Sequence, residues 1–361
     1  MGIKSTKGKN KFEQIDYKAT SDIGETLDPV FSADATGGTI LYNSADDGTS
    51  VEKYHVFTEP GYFKISAGFA KTANILMVAG GGAGGSSYYA GGGGAGEVLY
   101  GQNVGFGTTI AVTNLGEPIP FSSGQEYRVV IGEGGFGQLA NPAGQSSDRG
   151  GKGGDTHIYA TSGVTTSYRS SVGIQTGGLR AFGGGGGGAG NAAGGSQGYA
   201  GGSAGGNAYY SSVANLKQRK QGKGYPSAFT AYGNDQAPST TDRSDGGSGA
   251  GGSNDARNGG AGQPFPEFAS GIIGPAIPTQ VLPYWSPVVT STGLYGGGGG
   301  GGGYSGTSPS GGTGGGGAGG AGAVDALPGV DYTGGGGGGA DGAASNPGHG
   351  GKGILIIKYV V

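Results

Sequence analysis

Few residues of this chain have types and spacing that could do chemistry. Gly80-Gly81-Gly82-Ala83-Gly84-Gly85 fits G-x-G-x-x-G directly after an apolar run, and Glu97 stands roughly where a ribose-binding acid would fall. In that role the glycines let backbone approach a pyrophosphate, and the helix that follows supplies its positive N-terminus. No helix is expected here, because Ser86 to Gly96 is more glycine with two tyrosines, so the match reads as a product of composition and no cofactor is expected. Asp242, Asp245 and Asp255 could offer oxygen ligands to a hard cation. Beside Arg243 and Arg257 they read more simply as solvated loop charges. Gly150-Gly151-Lys152-Gly153-Gly154-Asp155 looks like one calcium-binding nonapeptide, but such sites form between stacked copies and one copy is present.

Catalytic constellations fare no better. His55, His157 and His349 form no H-x-x-x-H pair and cysteine is absent, so zinc is not expected and disulfides contribute nothing. His55 reads as a strand residue between Tyr54 and Val56. No G-x-S-x-G marks a hydrolase and no pair of carboxylates stands out for glycoside cleavage. The chain therefore reads as a non-enzyme, with glycan depolymerase kept as an alternative.

Recognition chemistry is better represented. Residues 207–245 hold Tyr209, Tyr210, Tyr225, Phe229 and Tyr232 beside Lys217, Arg219, Lys220 and Lys223. Residues 263–295 hold six prolines (264, 266, 275, 278, 283, 287) with Phe265, Phe268, Tyr284, Trp285 and Tyr295. Long aromatic loops on a rigid scaffold are where binding resides. Tyr209, Tyr210, Arg219, Tyr225, Tyr232, Tyr284 and Trp285 are the candidate receptor contacts. An equal alternative is that Trp285 and its neighbours form a small core capping the glycine layers.

What must position these loops is unusual. Ninety-four of 361 residues are glycine, concentrated in blocks that begin at Gly91, Gly183, Gly296, Gly314 and Gly334. No strict Gly-X-Y period is present, which excludes collagen. Glycine loses the most backbone entropy on folding, so such blocks stay disordered unless backbone packs on backbone. Layered threefold helices of the polyproline II type allow that close approach. Between the blocks lie short apolar runs that read as strands: Thr39–Tyr42, Tyr54–Thr58, Tyr62–Ser66, Asn74–Ala79, Glu97–Tyr100, Thr108–Thr113, Tyr127–Gly132, Thr156–Ala160, Leu179–Phe182 and Ile354–Val361. Asn74–Ala79 is apolar enough to be buried on both faces. Glu59-Pro60-Gly61 reads as a type II turn closing a β-hairpin. Helix signals are almost absent, the best being Val213–Lys220, so the fold class is all-β.

Charge is sparse, at 12% with a net of −3, which suggests neither a nucleic-acid surface nor an acidic tail. Met1 to Asn10 has no apolar secretory core and no run approaches a membrane span, so a product made in the cytoplasm without membrane insertion is expected. MGIKST fits the myristoylation pattern but is set aside. Residues 1–36 lack period and read as an attachment arm. Residues 37–182 read as a β-rich domain with glycine loops. Residues 183–361 read as a polyglycine-helix region with two aromatic insertions and a closing strand.

Gly-Gly-Thr-Ile (37–40), Tyr-His-Val-Phe-Thr (54–58), Gly-Tyr-Phe-Lys-Ile-Ser (61–66), the run from Ile75 to Gly85, Gly-Gly-Gly-Gly-Ala-Gly (91–96), Tyr-Arg-Val-Val-Ile-Gly-Glu-Gly-Gly (127–135), the run from Ala181 to Gly190 and the closing Gly-Gly-Lys-Gly-Ile-Leu-Ile-Ile-Lys-Tyr (350–359) follow in order. From Gly37 to Val361 the chain resembles the glycine-rich domain of bacteriophage tail-fibre and adhesin proteins. The resemblance implies a non-enzymatic virion protein, a short-strand β-sandwich with layered polyglycine II helices, and loops presented to a host surface glycan or outer-membrane protein. It implies attachment to other virion proteins through residues 1–36 and a homo-oligomer, with a trimer favoured. Alternatives are a capsid or tail decoration fibre and a self-assembling extracellular fibril.

Overall fold

The computed structural model describes residues 34–44, 50–106, 109–110, 119–138, 149–161, 178–190, 197–208, 228–235, 244–253, 257–303, 306–342 and 345–361. The strands in chain order are β1 Ala35–Thr36, β2 Thr39–Ser44, β3 Val51–Phe57, β4 Gly61–Ile65, β5 Thr72–Val78, β6 Val98–Gly105, β7 Thr109–Ile110, β8 Ile119–Pro120, β9 Glu126–Val130, β10 Thr156–Ala160, β11 Gly178–Ala181, β12 Phe229–Tyr232, β13 Gln263–Pro264, β14 Leu294–Tyr295 and β15 Ile354–Val360. One sheet runs β1-β4-β9-β10-β11 and a second β12-β6-β5-β15-β3-β2, with β7-β8 and β13-β14 as two small ribbons. The class is all-β, as the sequence predicts.

Alternation along the strands builds two cores. On β5, Ile75 and Met77 face the five-stranded sheet and join Phe63, Ile65, Tyr127, Val129, Ile158 and Leu179. Leu76 and Val78 face the other way and join Tyr54, Val56, Ile354 and Ile356. β5 is thus buried on both faces, as its unbroken apolar run demands. The closing strand β15 lies between β5 and β3, so segments 37–182 and 183–361 share one sheet.

The Glu59-Pro60-Gly61 turn is not a hairpin. β3 pairs with β2 and β15, whereas β4 pairs with β1 and β9 in the other sheet, so the turn is a corner between layers. Gly61 does not adopt the positive φ that a type II turn requires there.

Glycine segments continue from the strand ends as a hydrogen-bonded array. In segment 79–85, Ala79, Gly82 and Gly85 donate N–H groups to Glu97, Gly94 and Gly91. Gly80 and Ala83 donate to Gly154 and Gly151, while Gly81 and Gly84 donate to Gly351 and Gly348. The partner therefore changes with a period of three residues. The same segment accepts from three others, through Gly184 and Gly187, Gly135, and Gly337 and Ala340. Segment 90–97 repeats this: it donates to 334–340, 182–188 and 245–248, and accepts from 79–85, 203–206 and 299–302. Each of these two segments thus sits at the centre of six neighbours. A methyl added at Gly81, Gly84, Gly93 or Gly299 would overlap a facing backbone carbonyl oxygen. Glycine is there because backbone is the packing surface.

Residues 263–295 pack on the outer face of the six-stranded sheet. They contain two helices, α1 Ser270–Ile273 and α2 Leu282–Val289, in place of the irregular loop expected. α2 tolerates Pro283 because it lies in the first turn, where an amide would be unpaired. Pro287 lies inside α2, yet the amides of Trp285 and Thr290 still bond to Val281 and Ser286. No helix among the described residues is long and apolar enough to cross a membrane.

Candidate functional site

The array has a sheet end and a turn end. Ala79 and Glu97 mark the sheet end of the first two segments, and Ser86 to Ala90 form the turn between them. The insertion at 207–245 leaves the described chain at the turn end: Gly206 donates to Gly92, and Asp245 donates to Asn207. Tyr209, Tyr210, Arg219 and Tyr225 lie outside the described residues, as do the weak helix signal at Val213–Lys220, Asp242, Asp255 and the attachment arm before Asp34. Asp245 is buried, so it is not the solvated loop charge expected. Among the described residues no cluster of histidine or carboxylates has metal-ligand geometry.

The described part of one flank carries aromatic and cationic groups that the sequence reading missed. Phe136 is 76% exposed, and its ring centroid lies 4.7 Å from that of His349. Gly151 donates to the Phe136 carbonyl, which places Arg149 and Lys152 beside it. Both cations approach the Tyr199 ring, at 4.9 and 5.3 Å from its centroid. Cation–π contact holds the two long side chains in place.

The second aromatic insertion divides. Tyr284 is 71% exposed on α2, open to a partner. Trp285 is fully buried among Tyr54, Leu76, Ile356 and Tyr295, and its indole N–H donates to the Tyr332 carbonyl at 3.3 Å. It is a core residue, and assigning it to receptor contact is corrected. Tyr232 ends β12, half-buried, with its ring 5.5 Å from Phe265. Glu267, just before α1, pins the insertion: its carboxylate accepts from Asn74 at 2.8 Å, from Tyr100 at 2.5 Å and from Lys358 at 3.0 Å. Lys358 also pairs with Glu52 at 2.6 Å, so one ammonium bridges two carboxylates. These bonds are structural, because they fasten the insertion to β3, β5, β6 and β15.

The G-x-G-x-x-G run donates its amides to other segments of the array, as does the segment that follows. Glu97 is buried and accepts the Phe182 amide at 3.0 Å, which makes it a backbone cap at the array boundary.

One buried polar cluster lies where the N-terminal arm enters the fold. Lys53 and His55 alternate with Tyr54 on β3 and so face the sandwich core. Lys53 Nζ pairs with the Asp34 carboxylate and donates to the Ala35 carbonyl at 3.0 Å. Tyr359 donates its hydroxyl proton to Asp34, whose Oδ1 also accepts the Ala35 amide at 2.7 Å. The His55 Nδ1 lies 2.7 Å from the Gly37 carbonyl, and its Nε2 lies 3.0 Å from the Tyr359 hydroxyl. The imidazole stacks on Tyr359 and meets Phe63 edge-on, rather than packing against its sequence neighbours.

This cluster is expected to make the fold acid-sensitive. Burial pushes the His55 imidazole down to about 4 from its ordinary 6.5, and Lys53 adds to that. Burial also lowers His157, helped by Arg180. At Asp34 burial acts upward, but the bonds from Lys53 and Tyr359 outweigh it and hold the carboxyl below its ordinary range. Between pH 6.5 and 4 the unfolded chain binds the His55 proton and the folded chain does not, so stability falls as pH falls. The depressed Asp34 carboxyl acts in the same direction at lower pH. We expect a loss of about 3 kcal/mol from His55 across that window. Guanidinium unfolding midpoints from pH 7 to 4 check it, and His55→Gln should remove most of the slope.

No curated protein matches the sequence. The model of a glycine-rich domain family does match it, over residues 58–360, which takes in the array, the insertion on the outer sheet face and the closing strand. The matched span holds the glycine-dense segments of the array, and the chain belongs to this glycine-rich domain family.

Proposed function

We propose that the protein is a non-enzymatic virion fibre or adhesin that presents loops to a host surface glycan or outer-membrane protein. The observation that carries this reading is the array itself. Two central segments are each bonded to six neighbours, which makes a stiff stalk out of residues that are otherwise the most flexible. We read the segments as polyglycine II helices, since a partner period of three matches their three residues per turn. Tips of such a stalk are held rigidly, which lowers the entropy lost when they bind. Residues 1–36 serve as the arm to other virion proteins. Homo-oligomeric assembly fits β2, the edge of its sheet among the described residues, where Ile40 and Tyr42 are exposed.

Two aromatic regions present at different places call for two variants. Tyr210→Ala with Tyr225→Ala removes rings from the insertion at the turn end, and Tyr284→Ala removes one from the outer sheet face. We expect the double variant to reduce adsorption of particles to host cells by about tenfold or more at unchanged melting temperature. Unchanged adsorption in both would make the protein a capsid or tail decoration, and antibody labelling of particles in micrographs would then place it.

A further inference from the structure

We propose that Lys53 and Asp34 join covalently, through an isopeptide bond between lysine Nζ and aspartate Cγ that the chain forms by itself. The reacting groups already touch, and they are held apart from water: the Lys53 side chain is 4% exposed and the Asp34 side chain 16%. Burial lowers the cost of proton transfer to a neutral amine and a carboxylic acid relative to an exposed pair, while the Lys53 and Tyr359 bonds that hold Asp34 ionised oppose it, so the step is expected to be slow. The two carboxyl oxygens are also differentiated. Oδ2 faces Lys53, while Oδ1 receives the Ala35 amide at 2.7 Å and the Tyr359 hydroxyl. Two donors on one oxygen make an oxyanion hole.

The step balances without any co-reactant. The Lys53 ammonium passes one proton to Oδ2. The neutral Nζ attacks Cγ, the C–N bond forms, and the π electrons move onto Oδ1, where the Ala35 amide and Tyr359 hydroxyl hold the charge. A second nitrogen proton passes to the Oδ2 hydroxyl, the Cγ–Oδ2 bond breaks, and Oδ2 leaves as water while the carbonyl reforms. One proton stays on nitrogen, directed at the Ala35 carbonyl that Nζ already contacts at 3.0 Å. His55 acts as a positioning residue, with its Nε2 3.0 Å from the Tyr359 hydroxyl. In a chain with no cysteine, the bond would lock the segment entering at Asp34 onto β3, a strand of the six-stranded sheet.

Intact mass and a tryptic map of the full chain test this. We expect the purified protein to be one water lighter than its sequence, with a branched peptide joining Asp34 to Lys53 and no cleavage after Lys53. Succinimides at Asp47-Gly48, Asp245-Gly246 or Asp341-Gly342 would also lose water, so a loss that maps there and not to Asp34 overturns the proposal. Full mass with normal cleavage after Lys53, after prolonged incubation at neutral pH, overturns it as well. Lys53→Met and Asp34→Ala should each retain the water. Tyr359→Phe should slow formation about a hundredfold, and His55→Gln should alter the pH profile of the rate. Rates unchanged in both would remove the oxyanion-hole mechanism.

Discussion

Gly185→Val is expected to abolish soluble folding, and Gly299→Val to do the same. Gly185 donates to Ser203 and accepts from Gly94, while a Cβ there would fall on the Tyr199 carbonyl oxygen and the Gly205 amide. Gly299 donates to Gly93 and accepts from Gly247, with its Cβ directed into the Gly337 carbonyl. Neither neighbour can retreat, because each is itself bonded to further segments. Relief would require whole segments to separate, which leaves buried amides and carbonyls unpaired at roughly 1–3 kcal/mol each. Several such losses exceed the margin by which an ordinary domain is stable. Gly252 is the control: nothing lies within 4 Å of its Cβ position. Gly252→Ala should therefore change stability by less than about 0.5 kcal/mol. Expression yield and thermal melting of the three variants decide the matter. Wild-type melting in both valine variants would show that the bonded array does not govern stability.

The same contrast explains what was legible in the sequence. Strands such as Thr156–Ala160 and Ile354–Val360 announce themselves because alternation and apolar runs are local properties, as is the two-sided burial of β5. The corner at Glu59-Pro60-Gly61 reads as a hairpin in the sequence because a turn's composition does not say whether the next strand pairs with the last or crosses to another sheet. Helix α2 is not legible in the sequence because proline ordinarily breaks a helix, and the places of Pro283 and Pro287 within it are known only once it exists. The Asp34, Lys53, His55 and Tyr359 cluster was not legible at all. His55 and Tyr359 are 304 residues apart, and only the placement of β15 against β3 brings them together. The one local signal is a lysine and a histidine at alternate positions of a strand, on the side of Phe57.

Trp285→Ala is expected to cost about 3–5 kcal/mol, the range for deleting a large buried aromatic. The indole is fully buried between the outer face of the six-stranded sheet and Tyr295, whose ring centroid is 6.4 Å away. Its N–H bonds to the Tyr332 carbonyl, which ties the insertion to the segment leading into the Gly334 block. Truncation leaves a cavity and an unpaired carbonyl together. The insertion should then loosen from Tyr54, Leu76 and Ile356 rather than collapse onto them, because Glu267 and Lys358 fix only its first turn. Trp285 is the chain's one tryptophan, so its fluorescence reports this site alone. Wild-type emission should be blue-shifted and should move red in step with thermal unfolding. Tyr284→Ala, next to it and exposed, should melt within about 0.5 kcal/mol of wild type. Equal stability of Trp285→Ala and Tyr284→Ala, or red-shifted emission from the native protein, would return Trp285 to the surface and reopen its role in binding.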